Sequence, residues 1–200
     1  MSRLASRDPA VVRLTARLSR SDLLWVANTA HGPGGHWYAR ARDGQPDHDH
    51  LRTAKAATTY LADHRVPIPT DVPDRTALRE LGVVRAMVER LVADGEPWTA
   101  TGLALLATAR YAIDADGRVA SAEAGWRGFC RDLLLPFHDL AENRADLRRC
   151  ANPACRLLFE DGSRNHARRW CDTTGCGNRD RVRRARDRRV GATERGQAPR

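Results

Sequence analysis

The chain has 200 residues, enough for one ordinary domain and a small second module, and its formal net charge is +9. Residues 148–200 hold fifteen arginines and six acidic residues and so carry the whole excess, whereas residues 1–147 are neutral. This split indicates a neutral globular domain joined to a basic binding element. Because 33 of the 34 basic residues are arginine, the preference for arginine over lysine reflects a GC-rich coding bias, and only the position of the charge bears on function.

Cysteine content and hydropathy limit the location of the protein. Five cysteines in a chain of this size argue against a disulfide framework and favour a reducing cytoplasm. No stretch reaches the length of a membrane span, so we expect no membrane partner. The arginine-rich start has the composition of a transit peptide, but its spacing favours an ordinary first helix.

The first half of the neutral part is predicted to be mostly helical. Val11, Leu14 and Leu18 recur at helical spacing, and residues 21–30 form an apolar segment of unassigned type. Residues 51–60 predict a short helix. A longer helix is expected to begin after Asp74, its N-cap, and to end at residues 94–95. Its apolar stripe comprises Leu78, Leu81, Val84, Met87, Val88 and Leu91 and is typical of a core helix.

The second half of the neutral part combines a hairpin with an apolar helix. Residues 101–110 are helical or extended, and the turn at residues 114–117 predicts a small hairpin. An apolar helix face then runs over residues 126–137, where Pro136 should kink or restart the helix. Cys130 lies on this face and is interpreted as a small buried hydrophobe. The expected fold is α+β and mainly helical, followed by a C-terminal four-cysteine module that ends in a basic helix.

Four cysteines near the C-terminus have the spacing of a metal site. They form two C-x4-C pairs separated by fifteen residues: Cys150, Cys155, Cys171 and Cys176. Two short pairs of thiolates suit a tetrahedral zinc ion, and four cysteine ligands leave no open position for catalysis. The sequence therefore predicts one structural zinc per chain. Iron–sulfur ligation is the alternative metal chemistry, and His166 is an alternative ligand.

The segment around the cysteines has too little apolar content to fold without a metal. Leu157, Leu158 and Phe159 predict a short strand, and Trp170 is expected to pack over the metal site. Asn178 is a candidate N-cap for the basic helix that follows the last cysteine. Residues 148–190 are predicted to form the module, and residues 191–200 a disordered tail.

The polar side chains of this module predict a nucleic-acid interface. Guanidinium groups suit phosphate oxygens and guanine edges alike. The candidate contacts are Arg164, Asn165, Arg168, Arg169, Arg179, Arg183, Arg184 and Arg186. A merely solvated charged helix is the alternative.

A multi-part pattern in this segment resembles the CGNR zinc finger. The pattern consists of Cys150-x4-Cys155, a Leu-Phe step, Asp161-x-Ser163-Arg164-Asn165, Arg168-Arg169-Trp170-Cys171 and Cys176-Gly177-Asn178-Arg179. In that family the finger usually follows an ABATE domain, in proteins described as predicted stress-induced transcriptional regulators of bacteria. Trp25-Val26-Ala27-Asn28-Thr29 is similar to the Phe-x-Asn-Thr element that opens the ABATE domain. The resemblance implies zinc binding by the four cysteines and DNA binding by the finger.

Two functional hypotheses follow. In the first, the chain is a DNA-binding regulator without enzyme activity, and residues 1–147 form an ABATE-like domain for dimerisation or signal sensing; RNA remains an alternative polymer. In the second, residues 1–147 form an enzyme that the finger tethers. Its candidate metal-binding or acid–base residues are His31, His36, Asp47, His48, Asp49 and His50, which lie in a loop rich in glycine and proline.

Overall fold

The computed structural model describes residues 15–31 and 48–196, without the side chains of residues 15, 145 and 189–196. The helices in these ranges are α1 (Arg20–Ala27), α2 (Ala54–Asp63), α3 (Arg75–Ala93), α4 (Ala100–Thr108), α5 (Gly125–Asp132), α6 (Leu134–Glu142) and α7 (Cys176–Gly196). The strands are β1 (Thr15–Ala16), β2 (Ala30–His31), β3 (His48–Asp49), β4 (Tyr111–Ile113), β5 (Arg118–Ser121), β6 (Leu147–Arg149) and β7 (Leu158–Glu160). This content confirms the predicted α+β, mainly helical class.

The strands form three small sheets. β4 and β5 make the predicted antiparallel hairpin, in which Ala112 lies opposite Ala120, and β1 joins it in parallel to β5. β2 pairs with β3 and β6 with β7, both antiparallel. Sheets this small cannot support a core of their own, so the helices carry most of the packing.

The apolar core surrounds α3. This helix begins as predicted, because the side chain of Asp74 accepts a hydrogen bond from the Ala77 amide, and it ends at Ala93, with Asp94 as its C-cap. Its buried residues are Ala77, Leu81, Val84, Met87, Val88 and Leu91. The helices α1, α4, α5 and α6 pack against it. The spacing of these side chains places one face of α3 in the core.

The predicted apolar helix over residues 126–137 is split in two. α5 ends at Asp132 and α6 begins at Leu134, so Pro136 is the third residue of the new helix, where its missing N–H breaks no helical hydrogen bond. Cys130 is fully buried, and burial raises the pKa of its thiol. This confirms its interpretation as a core residue.

The first predicted helix is wrong where the structure describes it. Thr15 and Ala16 are extended and pair with β5, and the Arg17 amide donates to the Val119 carbonyl. Helical spacing of apolar residues gave a misleading signal here, because pairing with a distant strand decided the backbone conformation. Val11 and Leu14 lie outside the described residues. The unassigned segment that follows forms α1, which Ser19 and Asp22 cap reciprocally.

The C-terminal module is joined to the helical region through β7. Leu158 belongs to the large core around α3, whereas Leu157 and Phe159 pack with the cysteines. Alternate residues of a strand point to opposite faces, so one short strand contributes to both cores. None of the helices within residues 15–31 and 48–196 combines the length and apolarity that crossing a bilayer requires.

Candidate metal centre and nucleic-acid interface

The four C-terminal cysteines converge on one point. The sulfur atoms of Cys150, Cys155, Cys171 and Cys176 all lie within 4.8 Å of one another. The Sγ of Cys171 is 3.7 Å from that of Cys155 and 3.7 Å from that of Cys176. Four sulfurs about 2.3 Å from a tetrahedral zinc ion would be separated by about 3.8 Å. The cluster therefore fits one structural zinc ion.

The first cysteine pair is held by a turn built on Asn152. Its side chain accepts a hydrogen bond from the Ala154 amide, and its carbonyl accepts from the amides of Cys155 and Arg156. Arg156 then adopts a positive φ of 61°. The Cys150 amide donates to the Leu157 carbonyl and closes the turn onto β7. The turn at Asn152-Pro153 thus holds the two thiols of the first pair close together.

The second pair is held by Asp172. Its carboxylate accepts hydrogen bonds from the Thr174 amide and hydroxyl and from the Gly175 amide. A Cβ on Gly175 would lie 2.5 Å from that carboxylate, so the turn requires glycine there. α7 begins directly at Cys176. The prediction that Asn178 caps this helix is therefore wrong: Asn178 is the third residue of the helix, and Asp172 binds the amides that precede it.

Burial and charge make the cluster a site for a cation. Cys150, Cys155 and Cys176 are buried and Cys171 is half-buried. Hydrogen bonding to the neighbouring sulfurs of Cys150 and Cys155 raises the pKa of the Cys171 thiol, and burial adds to this effect. Four thiolates this close are stable only with a positive ion between them, since each raises the cost of ionising the next.

The loop between the pairs is organised by buried and stacked groups. Asp161 is fully buried and accepts hydrogen bonds from the Ser163 hydroxyl and amide and from the Arg168 amide, which lower the pKa of its carboxyl. The Arg168 guanidinium donates to the carbonyls of Trp170 and Cys171. The same guanidinium lies 5.0 Å from the centre of the Phe159 ring. Arg168 therefore stabilises the loop through contacts with neighbouring groups of the protein.

The indole of Trp170 covers the cysteine cluster, as predicted. It packs with Cys171 against the small core of cysteines, Leu157 and Phe159. The Arg169 guanidinium lies 5.1 Å from the centre of its ring on the exposed side. His166 contacts Asp146, with Nδ1 2.6 Å from Oδ1, and is not among the clustered ligands.

The C-terminal module matches a known protein family. Residues 147–189 match the family model of the CGNR zinc finger. The match covers β6, both cysteine pairs, β7 and the first part of α7. A comparison with curated proteins finds no match for the chain. The C-terminal segment thus resembles the CGNR zinc finger both in sequence pattern and in the convergence of its four cysteines.

α7 extends the finger as a basic helix. It holds eight arginines and three acidic residues. Asp180 is 5% exposed, and its carboxylate binds Arg183 Nη2 at 2.8 Å and Arg184 Nε at 2.7 Å. The hydrogen bond from Arg183 lowers the pKa of the Asp180 carboxyl. The helix continues to Gly196, six residues into the predicted tail, because alanine and arginine favour helix and no proline occurs between Cys176 and Pro199.

The predicted nucleic-acid contacts fall into two groups. Within the described residues, the exposed side chains of Arg164, Asn165 and Arg186 have no ion pair or side-chain hydrogen bond. The remaining candidates have partners within the protein: Arg168, Arg169, Arg179, Arg183 and Arg184. Sequence reasoning could not separate these groups, because only folding brings carboxylates, carbonyls and rings to particular arginines.

Three histidines of the helical region form a second cluster, apart from the four cysteines: His31, His48 and His50. His31 lies opposite His48 across the β2–β3 pair, and its Nε2 is 3.2 Å from that of His50. The Arg85 guanidinium binds Asp49 at 2.7 Å. Partial burial would raise the pKa of Asp49, but Arg85 and the Leu51 amide outweigh it and lower that pKa. Within the described residues, only the four cysteines form a group of three or more clustered ligands; His36 and Asp47 lie outside those residues.

Sequence reasoning missed the residue that connects the finger to the helical region. Asn28 is buried; its side-chain amide donates to the Leu158 carbonyl at 2.9 Å and accepts from the Leu158 amide at 2.7 Å. The Tyr60 hydroxyl donates to the Asn28 carbonyl. Arg20 adds a bridge between Asp139 of α6 and Glu160 of β7. The available signal was the Asn-Thr step at the end of an apolar segment, where a buried asparagine needs partners.

Proposed function

We propose that the chain is a DNA-binding transcriptional regulator of the bacterial stress-response type, in which the zinc finger contacts DNA and residues 1–147 act as an ABATE-like domain for dimerisation or signal sensing. The observation that carries the proposal is the exposed basic surface of a metal-fixed module in a chain whose other residues are neutral. A fixed array of positive charges attracts a polyanion, and arginine suits the phosphates of its backbone.

The exposed arginines support a contact surface on the loop and on α7. Arg164 and Arg186 offer guanidinium groups without protein partners among the described residues. Arg168 has a supporting role in this proposal, because its donors are directed to Trp170 and Cys171. Asp180 binds both Arg183 and Arg184, and Arg183 Nη1 also lies 3.9 Å from the Asp187 carboxylate. Arg184, which pairs through Nε alone, is therefore the better placed of the two to contact a phosphate.

The connection through Asn28 supports a sensing role for the helical region. Two hydrogen bonds join α1 to β7, and Tyr60 of α2 binds the same asparagine. A change in the packing of α1 or α2 would therefore act directly on the strand that packs against the zinc ligands. Analytical ultracentrifugation of the zinc-loaded chain tests the dimer that the proposal also allows.

Salt dependence of DNA binding tests the proposed surface. The variant Arg164→Ala/Arg186→Ala should flatten the dependence of log affinity on log salt by about 0.9 for each phosphate that the protein no longer binds. The variant Arg52→Ala/Arg75→Ala makes the same charge change on exposed residues of the helical region and is the matched control. Equal slopes for both variants and the wild type would place the interface elsewhere. Selection from random DNA and RNA pools identifies the polymer and the sequence.

The contact between His31 and His50 keeps a catalytic role for the helical region as the second candidate. The two imidazole nitrogens lie 3.2 Å apart, a distance that suits a shared proton or two ligands of one metal ion. The variant His48→Ala/His50→Ala addresses this role through metal content. A fall below the zinc content of the wild type would support a second site, whereas an unchanged content of one zinc per chain would remove it.

A further inference from the structure

A groove of about 500 Å³ opens where α4, the β4–β5 hairpin and α5 meet. The residues that line it are Thr108, Arg110, Ala122, Glu123, Arg127 and Arg131. Three of the six are arginines and one is acidic, although residues 1–147 are neutral as a whole. The groove therefore concentrates positive charge within a neutral region, outside the zinc-binding module.

Two of these arginines are available to a ligand. Arg110 and Arg127 are exposed, and neither has an ion pair or side-chain hydrogen bond among the described residues. By contrast, Arg20 and Arg85 of the same region each bind a carboxylate. Two guanidinium groups at one groove without a protein counter-ion provide a pair of forks for an oxyanion.

The third arginine supplies a buried donor. Arg131 is 4% exposed, and its two terminal nitrogens bind the Glu80 carboxylate at 2.8 and 3.2 Å. Its Nε is buried and has no hydrogen-bond acceptor among the described residues. Most buried donors in folded proteins have a partner, so this one calls for an explanation. Glu80 occupies the end of the guanidinium, and the edge that carries Nε remains for a second acceptor.

We propose that this groove binds a small anion whose phosphate or carboxylate oxygens accept hydrogen bonds from Arg110, Arg127 and Arg131 Nε. The volume lies within the range of about 300–1,000 Å³ that is usual for small-molecule sites. Glu123 adds an acceptor for a hydroxyl or amino group of the same ligand. The site extends the proposed sensing role, but its binding test does not require the finger to bind DNA.

Calorimetry with pyrophosphate and with succinate, at constant ionic strength and with the zinc-loaded full chain, tests the site. The variant Arg110→Gln/Arg127→Gln removes both forks, and Arg52→Gln/Arg75→Gln removes equal charge from exposed positions outside the groove. We expect the wild type and the control to bind at least one probe, and the groove variant to bind it about tenfold or more weakly. No binding to the wild type, or equal affinity in all three proteins, would overturn the proposal.

Two further measurements separate this site from alternatives. The variant Arg110→Lys/Arg127→Lys keeps the charge but loses the planar fork, so an affinity between those of the wild type and the glutamine variant is expected; full affinity would rule out recognition by the forks. The same oxyanion chemistry occurs in a DNA backbone. Unchanged DNA affinity of the glutamine variant supports a free small anion, whereas a loss equal to that of Arg164→Ala/Arg186→Ala would assign the groove to DNA and overturn the proposal.

Discussion

Among the described residues, the large core around α3 comprises 25 buried residues, nearly all from the helical region, whereas the separate buried cluster in the finger has five, of which three are cysteines. The first core removes enough apolar surface from water to hold its helices in place. The second cannot, because Leu157, Phe159 and Trp170 cover little more than the metal site. The two parts of the chain, which meet at β7, therefore depend on different sources of folding free energy: apolar burial in the first and metal binding in the second.

Metal removal should give the largest effect and separate the two regions. Cys155→Ser, or zinc chelation of the wild type, should unfold the finger, since zinc supplies about 10–16 kcal/mol of apparent binding free energy in zinc-finger peptides. Zinc content by mass spectrometry and circular dichroism measure the outcome. The control Cys130→Ala should keep one zinc per chain, because Cys130 lies in the helical core. A folded finger after Cys155→Ser would contradict the ligand assignment.

A cavity in the large core should destabilise the helical region and leave zinc binding by the finger unchanged. Leu81 is fully buried on α3, and Leu81→Ala should lower the free energy of unfolding of the helical region by about 2–5 kcal/mol. Urea denaturation measures this loss. The stoichiometry of zinc should stay at one per chain, because Leu81 belongs to the core around α3. Loss of zinc from this variant would mean that the finger cannot fold without the helical core.

The joint between the regions should have a smaller, local effect. Asn28→Ala leaves the Leu158 amide and carbonyl without their side-chain partners, at a cost of about 1–3 kcal/mol for each buried group. Hydrogen exchange should accelerate at Leu158 more than at Leu81. Asn143→Ala, which removes an exposed side-chain amide, is the matched control and should change stability by less than about 0.5 kcal/mol. Unchanged exchange at Leu158 would show that the joint does not depend on Asn28.

Alanine substitutions at two glycines of the finger should change its stability in opposite directions. Gly175→Ala places a Cβ 2.5 Å from the Asp172 carboxylate and should weaken the second cysteine turn by about 1 kcal/mol or more. Gly177→Ala meets the Trp170 ring at 3.5 Å, an ordinary contact, and should be neutral or raise stability by up to about 1 kcal/mol through helix propensity. Thermal unfolding of the zinc-loaded proteins measures both. Equal destabilisation by the two substitutions would contradict this account of the two positions.

Local rules in the sequence were sufficient for several elements. Asp74 begins α3, Pro136 lies at the start of a new helix, and the turn at residues 114–117 closes a hairpin. Each depends on neighbours within a few residues, so propensity and hydrogen-bonding capacity determine it. The same rules failed for Asn178, because the helix begins two residues earlier, at Cys176, directly after the turn that the Asp172 carboxylate holds. The limits 1–147, 148–190 and 191–200 stay predictions for the domain organisation.

The zinc ligands could be predicted from the spacing of the cysteines, because two C-x4-C pairs bring four thiols to one ion through local turns. The sequence also placed the excess charge on the finger, since charge is a property of composition. Which arginines are exposed, and which instead pair with Asp180 or stack on Trp170 or Phe159, depends on tertiary packing. Tertiary packing also decided that Asn28 joins the finger to α1 and that Arg110, Arg127 and Arg131 meet at one groove. These pairings join residues far apart in the chain, and their partners are fixed only when helices pack around a common core.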